Sequence, residues 1–161
     1  MEKLTIFGIG PKIGRIALPW LAVAIVLSIV YPDVFAWWRP QSLVLLIPGI
    51  ILMALGVALW FASGKQMVQA VKETKLLTKG PFGLCRNPLY SAIILFVVPG
   101  LSLVMNSWLI LTTCPVAYLV FRQCIKEECI QLEKIFGDEY KKYCSETPEF
   151  FPVNIKKWFG K

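Results

Sequence analysis

What most constrains this chain is where its charges are missing, because three long stretches have none: residues 16–32, 40–64 and 87–121. The second holds 25 residues and the third 35, and a helix crosses the hydrocarbon core in roughly 20 residues at about 1.5 Å each. The third stretch is therefore too long for one span and just long enough for two short ones, with Asn106-Ser107 at its midpoint as the turn of a tight hairpin. A hydrophobic content of 57% in 161 residues also exceeds what a soluble core of this size needs. The expected fold class is all-α integral membrane, in a single membrane domain covering residues 1–161. Its four transmembrane helices are expected near residues 16–36, 41–63, 88–105 and 108–121, followed by a cytoplasmic C-terminal helical region, 122–161.

The cations orient this arrangement, since Lys and Arg are retained on the cytoplasmic side of short loops. With four spans both termini share one side, and 16 of the 17 cations fall there: in the N-terminal segment (Lys3, Lys12, Arg15), in the central loop (Lys65, Lys72, Lys75, Lys79, Arg86) and in the tail from Arg122 to Lys161. Arg39 alone lies opposite, so both termini are expected in the cytoplasm. The net charge of +7 does not point to nucleic acid, because the cations border apolar spans instead of forming a soluble basic surface. Membrane lipids with anionic headgroups are the expected partner. Residues 1–31 carry an apolar run like that of a signal peptide, but no small-x-small cleavage site follows in Val34-Phe35-Ala36-Trp37-Trp38. The run reads as a retained first span with the Trp pair at the far interface.

No histidine occurs anywhere, and the five cysteines (Cys85, Cys114, Cys124, Cys129 and Cys144) form no CxxC pair. Histidine is the commonest metal ligand and general base. Its absence sets aside zinc chemistry and Ser-His or Cys-His catalysis, and no metal is expected. Four of the five thiols map to the cytoplasmic side or its boundary, where a disulfide framework is not expected.

Local signals place the elements. Pro19 is expected in the first turn of span one, where a missing N–H costs little, and Pro48-Gly49 in the first turns of span two, at a kink or close helix contact. Residues 64–86 read as a polar, basic loop closed by a Gly80-Pro81 turn. Asn87 is a good N-cap and Pro88 suits the first helical position, so span three starts there. No breaker follows span four, which is expected to leave the membrane and continue as one helix to a stop at Gly137, with Asp138 capping a last short helix.

On that emergent helix Phe121, Ile125, Cys129, Leu132 and Phe136 recur at helical spacing as one apolar stripe. At roughly 100° per residue Glu128 falls within the stripe and Glu127 on the polar side. A carboxylate on a packed face costs desolvation energy unless it meets a donor or cation, which makes Glu128 a candidate site residue and leaves Glu127 a solvated surface position.

Taken locally, Arg86-Asn87-Pro88-Leu89-Tyr90 reads as a capped helix start, with Arg86 at the headgroups and Tyr90 in an interfacial aromatic belt. Its wider context is the run GPFGLCRNPLY from Gly80, the hairpin after it, Glu127-Glu128, Ile135-Phe136-Gly137-Asp138-Glu139-Tyr140, and the run from Pro148 to Pro152. With these the chain resembles the isoprenylcysteine carboxyl methyltransferase and phospholipid methyltransferase superfamily over roughly residues 74 to 152. The resemblance implies S-adenosylmethionine as cofactor, held by the cytoplasmic span ends and the C-terminal helix instead of a Rossmann sheet. Carried over by position, it implies cofactor contacts from Thr74, Lys75, Leu76, Leu77, Phe82, Arg86, Asn87, Pro88, Leu89, Tyr90, Glu127 and Glu128, and catalytic roles for Arg122, Tyr90 and Glu128. The family's pentapeptide reads Arg-His-Pro-x-Tyr; Asn87 stands in place of its histidine, able to cap and hydrogen-bond but not to carry a proton. Ala92 stands where a glycine is usual. The substrate-contacting arginine ahead of the acidic pair has Cys124 at its position, with Arg122 nearest.

Methyl transfer from a sulfonium is an in-line displacement that needs alignment and exclusion of water, and no metal. Without histidine, an already ionised carboxylate or thiolate is easier to methylate than a protonated amine. The expected enzyme is a carboxyl O-methyltransferase-like protein acting on a lipophilic methyl acceptor, an isoprenylcysteine-type carboxylate or a related group. Phospholipid amines and small thiols stay open as alternative acceptors. Two other classes also stay open: a non-catalytic membrane accessory protein, and an NADPH-dependent reductase with a similar C-terminal pattern.

Overall fold

The computed structural model describes residues 9–38 and 42–151. Lys3, Arg39, Pro152 and the last cations of the tail, on which the topology and the motif drew, lie outside the described residues. Within them the elements are all helical. In chain order they are α1 (Gly10–Val30), α2 (Pro32–Phe35), α3 (Leu43–Glu73), α4 (Pro81–Leu84), α5 (Pro88–Ala92), a π-helical segment (Ile93–Val97), α6 (Val98–Val104), α7 (Trp108–Leu111), α8 (Thr113–Phe136) and α9 (Asp138–Glu146). The stretch Pro88–Val104 is one continuous helix broken in register by the π segment, and α7 leads into α8.

Three helices, Gly10–Val30, Leu43–Glu73 and Trp108–Phe136, are long and apolar enough to cross a membrane. Pro88–Val104 is apolar but falls short of that length, being bounded by Pro88 at one end and by the turn at Asn106 (φ 50°) at the other. Of the four spans expected from the sequence, three thus reach spanning length. Leu18, Ile29, Leu43 and Val44 are all more than half exposed, as side chains that face lipid are.

Two element boundaries differ from expectation. Helix α1 begins at Gly10 with Pro11 in its first turn, which leaves Pro19 inside the helix and not at its start. Helix α3 runs on to Glu73, so the connection expected from residue 64 begins only at Thr74. The physical reason is that residues 65–73 contain no breaker, and loss of hydropathy ends a span without ending a helix.

The buried residues of α3 are Gly49, Gly56, Ser63 and Ala70. That strict seven-residue recurrence of small side chains is the period of a left-handed helix pair, and α3 packs along α6, the π segment and α5. At Gly56 an added Cβ would lie 2.7 Å from Phe96 Cβ and 3.0 Å from the Val97 backbone nitrogen, so nothing larger than glycine fits unless one helix moves. Gly49 is likewise closed in by Leu103 and Gly100, in keeping with the close contact expected at Pro48-Gly49. The π segment has two identifiable causes. Pro99 has no N–H to give back to Leu95, and the Cys114 thiol takes the carbonyl of Ile94 at 3.2 Å.

At the Asn106 end the helices are tied by polar groups that satisfy one another. Trp37 N–H donates to Asn106 O (3.2 Å), Asn106 Nδ2 to Trp38 O (2.6 Å), and the Trp37 indole to Ser102 Oγ (3.0 Å). Ser28 and Ser107 hydroxyls meet at 2.6 Å. At the opposite end, where α1 packs on α8, Ile13, Ala17, Ala117, Phe121 and Ile125 form the buried core.

Candidate functional site

The helix ends on the Asn87 side enclose a cavity of about 290 Å³. Its walls come from the start of α1 (Ile9, Lys12), the end of α3 (Met67, Ala70, Val71), the connection to α5 (Lys75, Leu76, Leu77, Phe82, Arg86, Asn87), the second half of α8 (Ile125, Glu127, Glu128, Cys129, Gln131, Leu132, Ile135, Phe136) and α9 (Tyr140, Tyr143). Two left-handed residues close it. Thr74 (φ 49°) ends α3, and Lys75 N–H returns to Ala70 O at 3.1 Å, which lays Lys75, Leu76 and Leu77 along the wall. Gly137 (φ 55°) stops α8 where expected and folds α9 back against it. Asp138 does not cap α9 with its side chain; it stands in the first turn and pairs with Lys141 at 3.6 Å.

Glu128 is the central acidic group. One carboxylate oxygen, Oε2, is out of contact with solvent and has no hydrogen-bond partner among the described residues, while the carboxylate also meets the backbone N–H of Ile9. That donor is one of the first N–H groups of α1, which the helix itself cannot satisfy. Glu127 also borders the cavity, but its side chain is 65% exposed and pairs with Lys12 across the gap between α8 and α1.

Arg86 is the central cationic group. Its Nη1 donates to Cys144 Sγ at 2.9 Å, its Nη2 lies 4.0 Å from Glu149 Oε1, and its Nε is buried without a partner among the described residues. Side chains of both charges, each with one buried atom unpartnered among the described residues, therefore line one cavity. Tyr143 donates its hydroxyl to Phe82 O at 2.6 Å. Burial pushes the phenols of Tyr140 and Tyr143 above their ordinary range, so both remain neutral hydrogen-bond donors.

Asn87 differs from its expected role. Its side chain makes no N-cap bond to α5; the amide is buried and Nδ2 donates to the backbone carbonyl of Glu149 at 2.9 Å. The competing acceptor won because residues 147–151 lie against this helix start, and a buried carbonyl needs a donor.

Of the residues named from sequence, Lys75, Leu76, Leu77, Phe82, Arg86, Asn87, Glu127 and Glu128 are brought together in the cavity wall. Thr74, Pro88, Leu89, Tyr90 and Arg122 are not. Thr74 is an exposed helix end. Tyr90 packs at a tilt against Phe121 with ring centroids 5.6 Å apart, and its hydroxyl meets the backbone at Ile9 and Gly10. Arg122 pairs with Glu149. Sequence reasoning passed over Lys12, the α3 face of Met67, Ala70 and Val71, and the α9 face of Tyr140 and Tyr143. The last two groups carry spacings of one helix face, a signal present once those segments are known to be helical. Among the described residues no cluster of three or more His, Cys, Asp or Glu side chains is able to hold a metal ion.

Comparison with known proteins places this architecture. The phospholipid methyltransferase family profile matches residues 44–139, more than half of the chain. A cobalt-zinc-cadmium resistance protein, CzcN of Cupriavidus metallidurans, is 32% identical over 117 residues, which cover 72% of this chain and 51% of that protein. A nickel-cobalt-cadmium resistance protein, NccN of Alcaligenes xylosoxydans xylosoxydans, is 34% identical over 82 residues, covering 50% of this chain and 38% of that protein. The chain thus spans about half the length, or less, of these curated relatives. No solved structure matches. Three apolar helices of spanning length together with the profile match make the chain an integral membrane protein that belongs to the phospholipid methyltransferase family.

Proposed function

We propose that the protein is an S-adenosylmethionine-dependent membrane methyltransferase and that the cavity between α8, α9 and the 75–87 connection holds the cofactor. The observation that carries this is the pair of oppositely charged side chains, Glu128 and Arg86, that line one largely apolar cavity, each with a buried atom unpartnered among the described residues. Leaving a buried polar group without a partner costs about 1–3 kcal/mol and more when it is charged, so the site gains most from a ligand that brings a donor to one and an acceptor to the other. S-adenosylmethionine is such a ligand: ribose hydroxyls and an ammonium group suit Glu128, and a carboxylate suits Arg86. The aliphatic wall of Met67, Val71, Leu76, Leu132 and Ile135 suits an adenine ring.

When bound, S-adenosylmethionine supplies an electrophilic methyl group on a sulfonium. The chain's part is to hold and to shield. Glu128 attracts the cationic side of the ligand, Arg86 takes its anionic end, and the apolar wall keeps water from the reacting centre. Neither Tyr90 nor Arg122 borders the cavity, so the acceptor is met on the far side of Glu128, towards the bilayer. The acceptor of this reading is lipophilic, an isoprenylcysteine-type carboxylate or a related anion, because no histidine is present to deprotonate an amine.

In the membrane we place the cavity and both termini on the cytoplasmic side, with Pro88–Val104 as a short third span. Calorimetric titration of the purified protein in detergent tests the cofactor: S-adenosylmethionine is expected to bind and NADPH not. Transfer of labelled methyl to a prenylcysteine analogue, compared with phosphatidylethanolamine vesicles and a small thiol, then tests the acceptor. Binding of NADPH alone would return the chain to the reductase class, and binding of neither to the accessory class.

A further inference from the structure

The geometry points to Glu149 as a positioning residue: its carboxylate, anchored by Arg122, holds the guanidinium of Arg86 in its orientation at the cavity. The inference rests on the reading of the cavity as a cofactor site.

It begins with the backbone on either side of Glu149. Three successive carbonyls, of Pro148, Glu149 and Phe150, are taken by three donors from residues 86–91, at the head of the third uncharged stretch. Arg86 N–H reaches Pro148 O at 2.9 Å, Asn87 Nδ2 reaches Glu149 O at 2.9 Å, and Ser91 Oγ reaches Phe150 O at 2.5 Å. The ring of Phe150 is buried and lies 5.1 Å from both Tyr118 and Phe121. A segment fixed at three carbonyls and one aromatic ring backs the wall residues Arg86 and Asn87, and its side chains are placed as firmly as those of a helix.

The carboxylate of Glu149 then spans two arginines. Oε2 pairs with Arg122 Nη1, and Oε1 lies 4.0 Å from Arg86 Nη2. The Glu149 and Arg86 side chains are only 25% and 18% exposed, so water screens their attraction less than it would at a surface. With Nη1 of Arg86 given to Cys144 and Nη2 drawn towards the Glu149 carboxylate, the rigid planar fork is oriented by groups on two sides. Nε, buried and free of partners among the described residues, is shielded from solvent, so its N–H reports how firmly the guanidinium is held. Arg122, outside the cavity wall, is linked to it through this carboxylate.

The test uses the full-length protein in micelles with 15N-labelled arginine. The chain has four arginines, so the Arg86 Nε–H resonance is assigned by its loss in Arg86→Lys. Glu149→Gln keeps the shape and removes the charge. It is expected to speed solvent exchange of that Nε–H and to raise the Kd for S-adenosylmethionine, each by about tenfold. Glu149→Asp is expected to recover most of both, and Arg122→Gln to act in the direction of Glu149→Gln more weakly. An unchanged exchange rate in Glu149→Gln, or a Glu149→Asp form no better than Glu149→Gln, would overturn the assignment. Should Glu149→Gln fail to fold, Glu149→Asp against Arg122→Gln carries the same comparison. If the unaltered protein bound no S-adenosylmethionine, the cofactor reading would fall, while the exchange rates would still decide whether Glu149 holds Arg86.

Discussion

Adjacent glutamates on α8 have opposite circumstances, and the difference is one of helical phase. Glu128 stands with the apolar stripe, lines the cavity and keeps one buried oxygen unpartnered among the described residues, whereas Glu127 reaches the solvent-exposed Lys12. An exposed ion pair contributes about 0–1 kcal/mol. Glu128→Gln should therefore raise the Kd for S-adenosylmethionine by about tenfold or more, equivalent to about 1.4 kcal/mol, while Glu127→Gln changes it by less than about threefold. Equal effects in a calorimetric titration would remove Glu128 from the site. At Asn87 the structure replaces the expected cap with a bond to the Glu149 carbonyl. Asn87→His keeps a donor at that place and should retain cofactor affinity. Asn87→Leu leaves a carbonyl unpaired at a cost of about 1–3 kcal/mol, and should lower both the melting temperature and the affinity. A leucine form that melted and bound like the parent would show that the amide does no more than fill space. The phase of Glu128 was legible in the sequence because helical periodicity is local. The partner of Asn87 was not, because it lies 62 residues away.

At the scale of elements, the small-residue stripe of α3 sets how closely it meets Pro88–Val104. Gly56→Ala puts a methyl group within 2.7 Å of Phe96 Cβ and 2.8 Å of Val97 Cγ2, and overpacking of this kind costs about 1–3 kcal/mol. Gly14→Ala, at a half-buried position of α1, meets only Leu18 Cδ1 at 3.5 Å and gains up to about 1 kcal/mol of helix propensity. Thermal unfolding in detergent should accordingly fall for Gly56→Ala and hold or rise for Gly14→Ala; the reverse order would contradict the close helix contact. The hairpin turn at Asn106-Ser107 and the stop at Gly137 were visible in sequence, since turn residues report their own backbone conformation. The onward run of α3 to Glu73 was hidden by the change from apolar to basic residues at Lys65, which marks the edge of a membrane and not the end of a helix.

For the whole molecule, the charge asymmetry yields a testable orientation. With 16 of 17 cations on one side of a four-span arrangement, a cysteine introduced by Trp38→Cys, in a form retaining only Cys144 of the natural thiols, should be reached by an impermeant maleimide from the side opposite to Cys144. Labelling of both from one side would mean an even number of crossings between them, and the short helix Pro88–Val104 would lie outside the count of spans. What the sequence determined by itself is what each residue's immediate neighbours decide: which stretches avoid water, where the helices of the hairpin begin and turn, and which face of α8 is apolar. The tertiary structure alone decided which charged groups meet. Arg86, Glu128 and Glu149 come from three separate segments, and the energy that sets their roles is a long-range matter of burial and unpaired donors that no local pattern encodes.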